Sequence, residues 1–272
     1  MSHTVLAILM ERAGTDSCLD AARLAAAALA APRLLALHVR LDPDSTIIPS
    51  EEILTPKQRR ALELQAESEA AAVHAAFAAW HARQAPGLEA GWQDVTGRAA
   101  DAVAHHGRRA TLSVMAAPGP HASGQVQEAF HAALFDTHRL LLRVPHPGPV
   151  PPPRRIAIGW KDSAVCRAAI EQAAPWLRQA EAVDVLHVVA RDAAELDAAA
   201  HLLRDLGITA RLHGFARGET PVGAQVLAEA KARHADWLLI GAFRRPQAVE
   251  WLLGGVTRTV LHEARLPVLM LH

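Results

Sequence analysis

The chain states one pattern twice. Val5-Leu-Ala-Ile-Leu9 is matched by Ile156-Ala-Ile158, and each run leads to an Asp-Ser pair, Asp16-Ser17 and Asp162-Ser163. Leu37-His38-Val39 is matched by Leu186-His187-Val188, Thr111 to Met115 by Asp236 to Ile240, and Arg139-Leu-Leu-Leu142 by Arg265-Leu-Pro-Val268. Self-similarity of this kind points to one folding unit used twice. A length of 272 residues also suits two domains better than one. Between the copies lies His146-Pro-Gly-Pro-Val-Pro-Pro-Pro153. Proline has no N–H and a fixed φ, so this stretch cannot join a sheet and makes a semi-rigid linker. The expected division is therefore a first domain over 1–145, a linker over 146–153 and a second domain over 154–272.

Each copy reads as strands alternating with helices. In the second copy the expected strands are 155–160, 183–189, 208–215, 236–241 and 266–271. They are short runs rich in Val, Ile and Leu without polar alternation, as expected where helices cover both faces of a sheet. The expected fold class is α/β, with two tandem doubly wound parallel sheets of five strands each. Asp162 or Ser163 caps the first helix of the second copy, and Thr220 stands ahead of Pro221 at the start of a later one. The first copy carries an extra loop, 42–54, and a long helix. Thr55 and Gln58 form a capping-box pattern around Pro56, and the helix runs to about Gln84 before Pro86-Gly87. Ala66, Ala70, Val73, Phe77 and Trp80 line one face of it at helical spacing. That stripe reads as packing against the sheet, with a partner-binding helix as the alternative.

Charge and cysteine content narrow the function classes. Basic and acidic residues balance at 28 each, so no global field draws the chain to nucleic acid or an anionic membrane. Cys18 and Cys166 fall in expected helices and read as buried small hydrophobes, not a disulfide framework. The apolar run 24–31 ends at Pro32 and is too short to span a bilayer. Met1 to Thr4 lead straight into a strand without a signal-peptide pattern, so a cytoplasmic location is expected. Sixteen histidines invite a metal, yet no ligand spacing appears. His105 and His106 are helix neighbours pointing about 100° apart, a poor chelate. His38 and His187 recur at equivalent strand positions and read as buried hydrogen-bonding groups. No nucleophile elbow or carboxylate pair is present, so no catalytic set is expected.

Ligands of open parallel sheets bind beyond the carboxyl ends of the strands, where the strand order reverses. Near the C-terminus, Asp236-Trp-Leu-Leu-Ile-Gly241 ends a strand, Gly254-Gly255-Val-Thr257-Arg258 opens a helix, and Leu266-Pro-Val-Leu-Met-Leu271 forms the last strand. A glycine turn into a helix aims free N–H groups and a partial positive charge at an anion. The same glycines also read as a plain turn with close helix–sheet packing. In the first copy, Ala116 to Gly124 contains no Gly-Gly pair, and Phe130-His131-Ala132-Ala133 occupies the corresponding region. That copy therefore reads as a degenerate, structural one.

These C-terminal residues resemble the signature of the universal stress protein family. Its Gly-x2-Gly-x9-Gly-(Ser/Thr) run cradles the phosphates of ATP in members that bind it. The resemblance implies an adenine nucleotide alpha hydrolase-like fold with strand order 3-2-1-4-5 in both domains. It places Gly241, Arg244, Gly254, Gly255 and Thr257 at the phosphates and ribose, with Arg258 as a counter-charge. Lys161, Asp162 and Val188 fall at the base-binding side of the crevice. Two positions depart from the pattern: Arg244 replaces the second glycine, and Lys161 stands where ATP-binding relatives carry an acidic residue. Arg244 either clashes with a phosphate or supplies guanidinium donors to it. The implied cofactor is ATP or another nucleotide with Mg, or else a phosphate anion. The implied role is regulatory or protective, with at most slow ATP turnover. The alternative is a nucleotide-independent interaction scaffold, its protein partner unknown, that uses the 42–84 region. The resemblance further implies pairing of 140–144 with 266–271 as an intrachain pseudo-dimer, with homodimerisation open.

Overall fold

The computed structural model describes residues 3–30, 32–42, 55–84, 88–189, 194–242 and 255–272. Two compact units divide the chain. Residues 1–139 and 146–149 form the first, and residues 140–145 and 150–272 form the second.

The first unit runs β1 (His3–Ile8), α1 (Thr15–Ala26), β2 (Pro32–Leu41), α2 (Pro56–Ala82), β3 (Glu89–Gly97), α3 (Ala99–Gly107), β4 (Leu112–Ala116) and α4 (Gly124–Phe135). Its strands are all parallel, in the order β3-β2-β1-β4. The second unit begins with β5 (Leu140–Val144) and continues through β6 (Arg155–Gly159), α5 (Ala164–Leu177), β7 (Ala182–Val189), α6 (Ala194–Asp205) and β8 (Arg211–Ala216). It ends with α7 (Val222–Ala232), β9 (Trp237–Gly241), α8 (Gly255–Glu263) and β10 (Val268–Leu271). Here β8-β7-β6-β9-β10 run parallel, which is the 3-2-1-4-5 order expected from the sequence. β5 adds to the same unit, antiparallel to β10, with Val268 opposite Arg143 and Met270 opposite Leu141.

The central strands are buried on both faces because helices cover them. Val5 to Ile8, Leu112 to Val114, Ile156 to Ile158 and Trp237 to Ile240 are almost wholly excluded from solvent. The outer strands differ. β3 and β8 contain only exposed and half-buried positions. An outer strand has a neighbour on one side only, so more of its residues face water.

The long helix forms for local reasons. Thr55 accepts from the Gln58 N–H at 3.3 Å, while Gln58 accepts from the Thr55 N–H at 2.9 Å, completing the expected capping box. Ala70, Val73, Phe77 and Trp80 are buried, and Trp80 donates its indole N–H to Asp20 of α1 at 2.9 Å. The apolar stripe is thus used within the fold. The loop expected over 42–54 lies, apart from Asp42, outside the described residues.

Two helix starts sit elsewhere than the sequence suggested. Pro221, not Thr220, is the N-cap of α7, and no side chain closes that cap. In the first unit α4 begins at Gly124 with Ser123 as its cap, so Phe130 to Ala133 lie mid-helix. The helix start of that copy is Ser123-Gly124, which aligning 130–133 with the Gly-Gly turn had missed.

Candidate functional site

The carboxyl edge of the second unit carries most of the residues named from the sequence. Gly159 ends β6 beside β9, where a Cβ would stand 2.9 Å from Ile240 Cγ2. Trp160 follows and is buried. Its indole N–H donates to the Glu195 carbonyl at 2.8 Å, and its own carbonyl accepts from His187 Nδ1 at 3.1 Å. Lys161 is exposed. Asp162 accepts from Arg167 Nε at 2.8 Å, so its carboxylate is already engaged. Ser163 caps α5 by accepting from the Cys166 N–H at 3.2 Å. Of the two caps the sequence allowed, Ser163 is used and Asp162 is not. Val188 is half-buried on β7, opposite Phe215 of β8.

Gly241 serves packing. A Cβ there would lie 3.0 Å from the N and Cα of Cys166, so the first turn of α5 takes the space a side chain would need. Of the two readings of these glycines, close helix–sheet packing is the one that the described surroundings of Gly241 support. Gly255 is different. It is the first residue of α8, is exposed, and would place a Cβ in open space. Thr257 is buried and Arg258 exposed on the same helix. Behind them α7 approaches closely at Gly223, whose Cβ would stand 2.7 Å from Val256 O and from Thr259 Cβ. The structure thus brings Lys161, Asp162 and Gly241 to the ends of neighbouring strands β6 and β9. Arg244 and Gly254 lie outside the described residues.

Both cysteines are buried near the starts of their helices. Burial pushes the Cys18 thiol up to about 12, and Cys166 is raised for the same reason. Neither is placed to act as a thiolate. Among the described residues no cluster of His, Cys, Asp and Glu is arranged to hold a metal, and no helix is long and apolar enough to cross a membrane.

The first unit holds a feature that sequence reasoning missed. An open cleft of about 810 Å³ lies at its carboxyl edge. The loop after β1, the end of β2, one face of α2, Arg98 and the first turn of α4 line it. His38 at the end of β2 is buried and bonds through Nδ1 to the Leu9 carbonyl at 2.6 Å. The signal available in the sequence was Ser123-Gly124, a capping residue and a small residue at a helix start.

Comparisons with known proteins agree with this architecture. The family model described as "Universal stress protein family" matches residues 194–272. That segment contains Gly241, Arg244, Gly254, Gly255 and Thr257, but not Lys161, Asp162 or Val188. A universal stress protein from Archaeoglobus fulgidus DSM 4304 superposes with a TM-score of 0.69 at 16% identity, covering 98% of this chain and 95% of its own. A functionally unknown protein from Pseudomonas aeruginosa PAO1 gives 0.60 at 14% identity, covering 99% and 92%. The cytoplasmic domain of a prokaryotic cation chloride cotransporter gives 0.50 at 12% identity, covering 99% and 95%. At such identities the likeness is one of fold. No curated protein matches the chain.

Proposed function

We propose that this chain, whose residues 194–272 match the universal stress protein family model, is a cytoplasmic stress-type regulatory protein that responds to a nucleotide or phosphate anion in its second unit. The observation that carries this reading is the start of α8. Gly255 opens the helix inside the family-matched segment, is exposed, and has open space where a side chain would stand. Helix N-termini of this kind offer free N–H groups and a partial positive charge to a phosphate.

The residues fit the phosphate end of such a ligand better than its base. Gly255 leaves room, and Arg258 and Lys161 are exposed cations on α8 and on the loop after β6. Arg244 and Gly254, from the same glycine-rich stretch, belong to the proposed contact set. Asp162, on the base side of the crevice, is held by Arg167 and so is not free to select adenine. A nucleotide would therefore be gripped mainly through its phosphates, with Mg shared between them. Turnover at this site is expected to be slow at most. The output is contact with a protein partner, controlled by occupancy.

The test is the melting temperature of the full chain with Mg-ATP, AMP or inorganic phosphate. Ligand at a hundred times its dissociation constant stabilises the folded state by about 2.7 kcal/mol, a shift of several degrees. Gly255→Val should remove the shift and leave the ligand-free melting temperature nearly unchanged. A shift with none of the three would favour a nucleotide-independent interaction scaffold.

A further inference from the structure

The cleft of the first unit is independent of the α8 site, and its chemistry differs. We propose that it binds a small zwitterion of the amino-acid type, carrying one ammonium and one carboxylate. Its volume, about 810 Å³, lies within the range of small-molecule pockets. Its polar lining decides the class of ligand.

Three arginines and three glutamates line it: Arg12, Arg40, Arg98, Glu11, Glu69 and Glu128. Arg12 is held by Asp16 at 2.8 Å, and Arg40 by both oxygens of Asp94 at 3.0 and 2.8 Å. Glu69 accepts the main-chain N–H of Arg12 at 2.5 Å. Among the described residues Glu11, Glu128 and Arg98 have no such partner. Arg98 is the N-cap of α3, where its guanidinium, a donor only, cannot accept the helix N–H groups. The first turn of α4 adds a partial positive charge. Ser123 takes the Val126 N–H at 3.4 Å, and the N–H groups of Gly124 and Gln125 have no acceptor within the helix.

His38 supplies a second, separate pointer. Its bond to the Leu9 carbonyl requires the proton on Nδ1, which leaves Nε2 an acceptor in the neutral ring. His187, its counterpart in the second unit, makes the same Nδ1 bond, to Trp160, but its Nε2 faces Glu195 at 3.6 Å. His38 lines the cleft, is only 2% exposed, and has no carboxylate at Nε2 among the described residues. Nε2 can therefore accept a ligand N–H from the cleft.

Beyond the Arg12–Asp16 and Arg40–Asp94 pairs, the lining sets three carboxylates, Glu11, Glu69 and Glu128, against Arg98 and a helix N-terminus, so both signs of charge face the cleft. A polyphosphate would add several negative charges where only Arg98 and the helix end oppose them, and a polycation would meet those same two groups. A zwitterion satisfies both ends. Its carboxylate takes Arg98 and the α4 N–H groups, while its ammonium takes Glu11, Glu128 and His38 Nε2.

The experiment is saturation-transfer NMR on the full chain, with the twenty protein L-amino acids at millimolar concentration and Mg-ATP and spermidine as the polyanion and polycation. Binding by one or more amino acids is expected, unchanged in Gly255→Val. It should weaken at least about tenfold in Glu11→Gln and in Arg98→Gln, the loss expected when a charged hydrogen-bonding partner goes. Unchanged melting temperatures would show that both variants fold, and exposed Glu128→Gln provides a third if either does not. No signal from any amino acid, or a signal indifferent to all these substitutions, would overturn the assignment. So would Mg-ATP or spermidine binding that depends on Arg98 or Glu11 and excludes amino acids. Failure of the α8 reading shows separately, as Mg-ATP binding that is absent or insensitive to Gly255→Val.

Discussion

Gly241 and Gly255 look interchangeable in the sequence, since each stands at the boundary of a regular element in one glycine-rich stretch. Their surroundings separate them. At 241 an added methyl meets the backbone of Cys166 at 3.0 Å, which cannot swing aside as a side chain tip would. Gly241→Ala should therefore cost about 1–3 kcal/mol in urea denaturation. At 255 it meets nothing within 4 Å among the described residues, so Gly255→Ala should be neutral or stabilising by up to about 1 kcal/mol. Equal destabilisation by both would contradict this division of roles. Cys18 supports a second prediction. Its thiol is raised from 9.0 to about 12 in the folded chain, so the folded state resists losing that proton. Below pH 9 the thiol adds no pH dependence. Between pH 9 and 12 the unfolded chain ionises first and stability falls, by up to about 1.4 kcal/mol per pH unit. Cys18→Ala should flatten that slope in denaturation curves measured across the range.

At the scale of elements, local chemistry was read well and register less so. The capping box of α2 was visible because its donors and acceptors lie three residues apart. Thr55→Ala should cost about 1 kcal/mol and speed amide exchange in the first turn of that helix. The stripe of α2 was equally visible from its spacing, although Trp80 finding Asp20 across sixty residues was not. Trp80→Phe keeps an aromatic ring but removes the pyrrole part of the indole from a buried site, and leaves the Asp20 oxygen without its donor. It should destabilise by about 1–3 kcal/mol, and Asp20→Asn should not add a further loss in the double variant. The helix starts at Thr220-Pro221 and in the first copy were misplaced for one reason. Several residues near each start suit a cap, and the approach of neighbouring elements selects among them.

At the scale of the molecule, the chain does not divide where the linker suggests. Leu140 to Pro145 belong to the second unit, His146 to Pro149 to the first, and the chain rejoins the second unit at Val150. β5 covers the edge of β10, and its Arg143 reaches the end of α8, donating to Ala264 O at 2.8 Å and Leu261 O at 3.0 Å. Burial lowers that guanidinium to about 10, and the carbonyl end of the helix is its compensation. A fragment of residues 154–272 would bare the edge of β10, where Val268, Leu269 and Met270 are fully buried. It should self-associate in sedimentation more strongly than the full chain at the same concentration. Self-association no stronger than that of the full chain would show that β5 does not protect that edge.

By itself the sequence determined the repeated order of strands and helices, the long capped helix and the phosphate-loop resemblance. Each depends on residues within a few positions of one another, where periodicity and capping chemistry act. Only the tertiary structure decided that Gly241 is kept for Cys166, that Asp162 is taken by Arg167, and that a cleft of about 810 Å³ lies in the copy that had read as merely structural. Asp162 shows the limit plainly: Arg167 is five residues away, but a carboxylate in a loop has several partners within reach until the helix start fixes one. The cleft and the place of Arg143 depend on approaches between distant segments, 121 residues apart for Arg143 and Ala264. Local propensity carries no record of such distances; close packing of whole elements sets them.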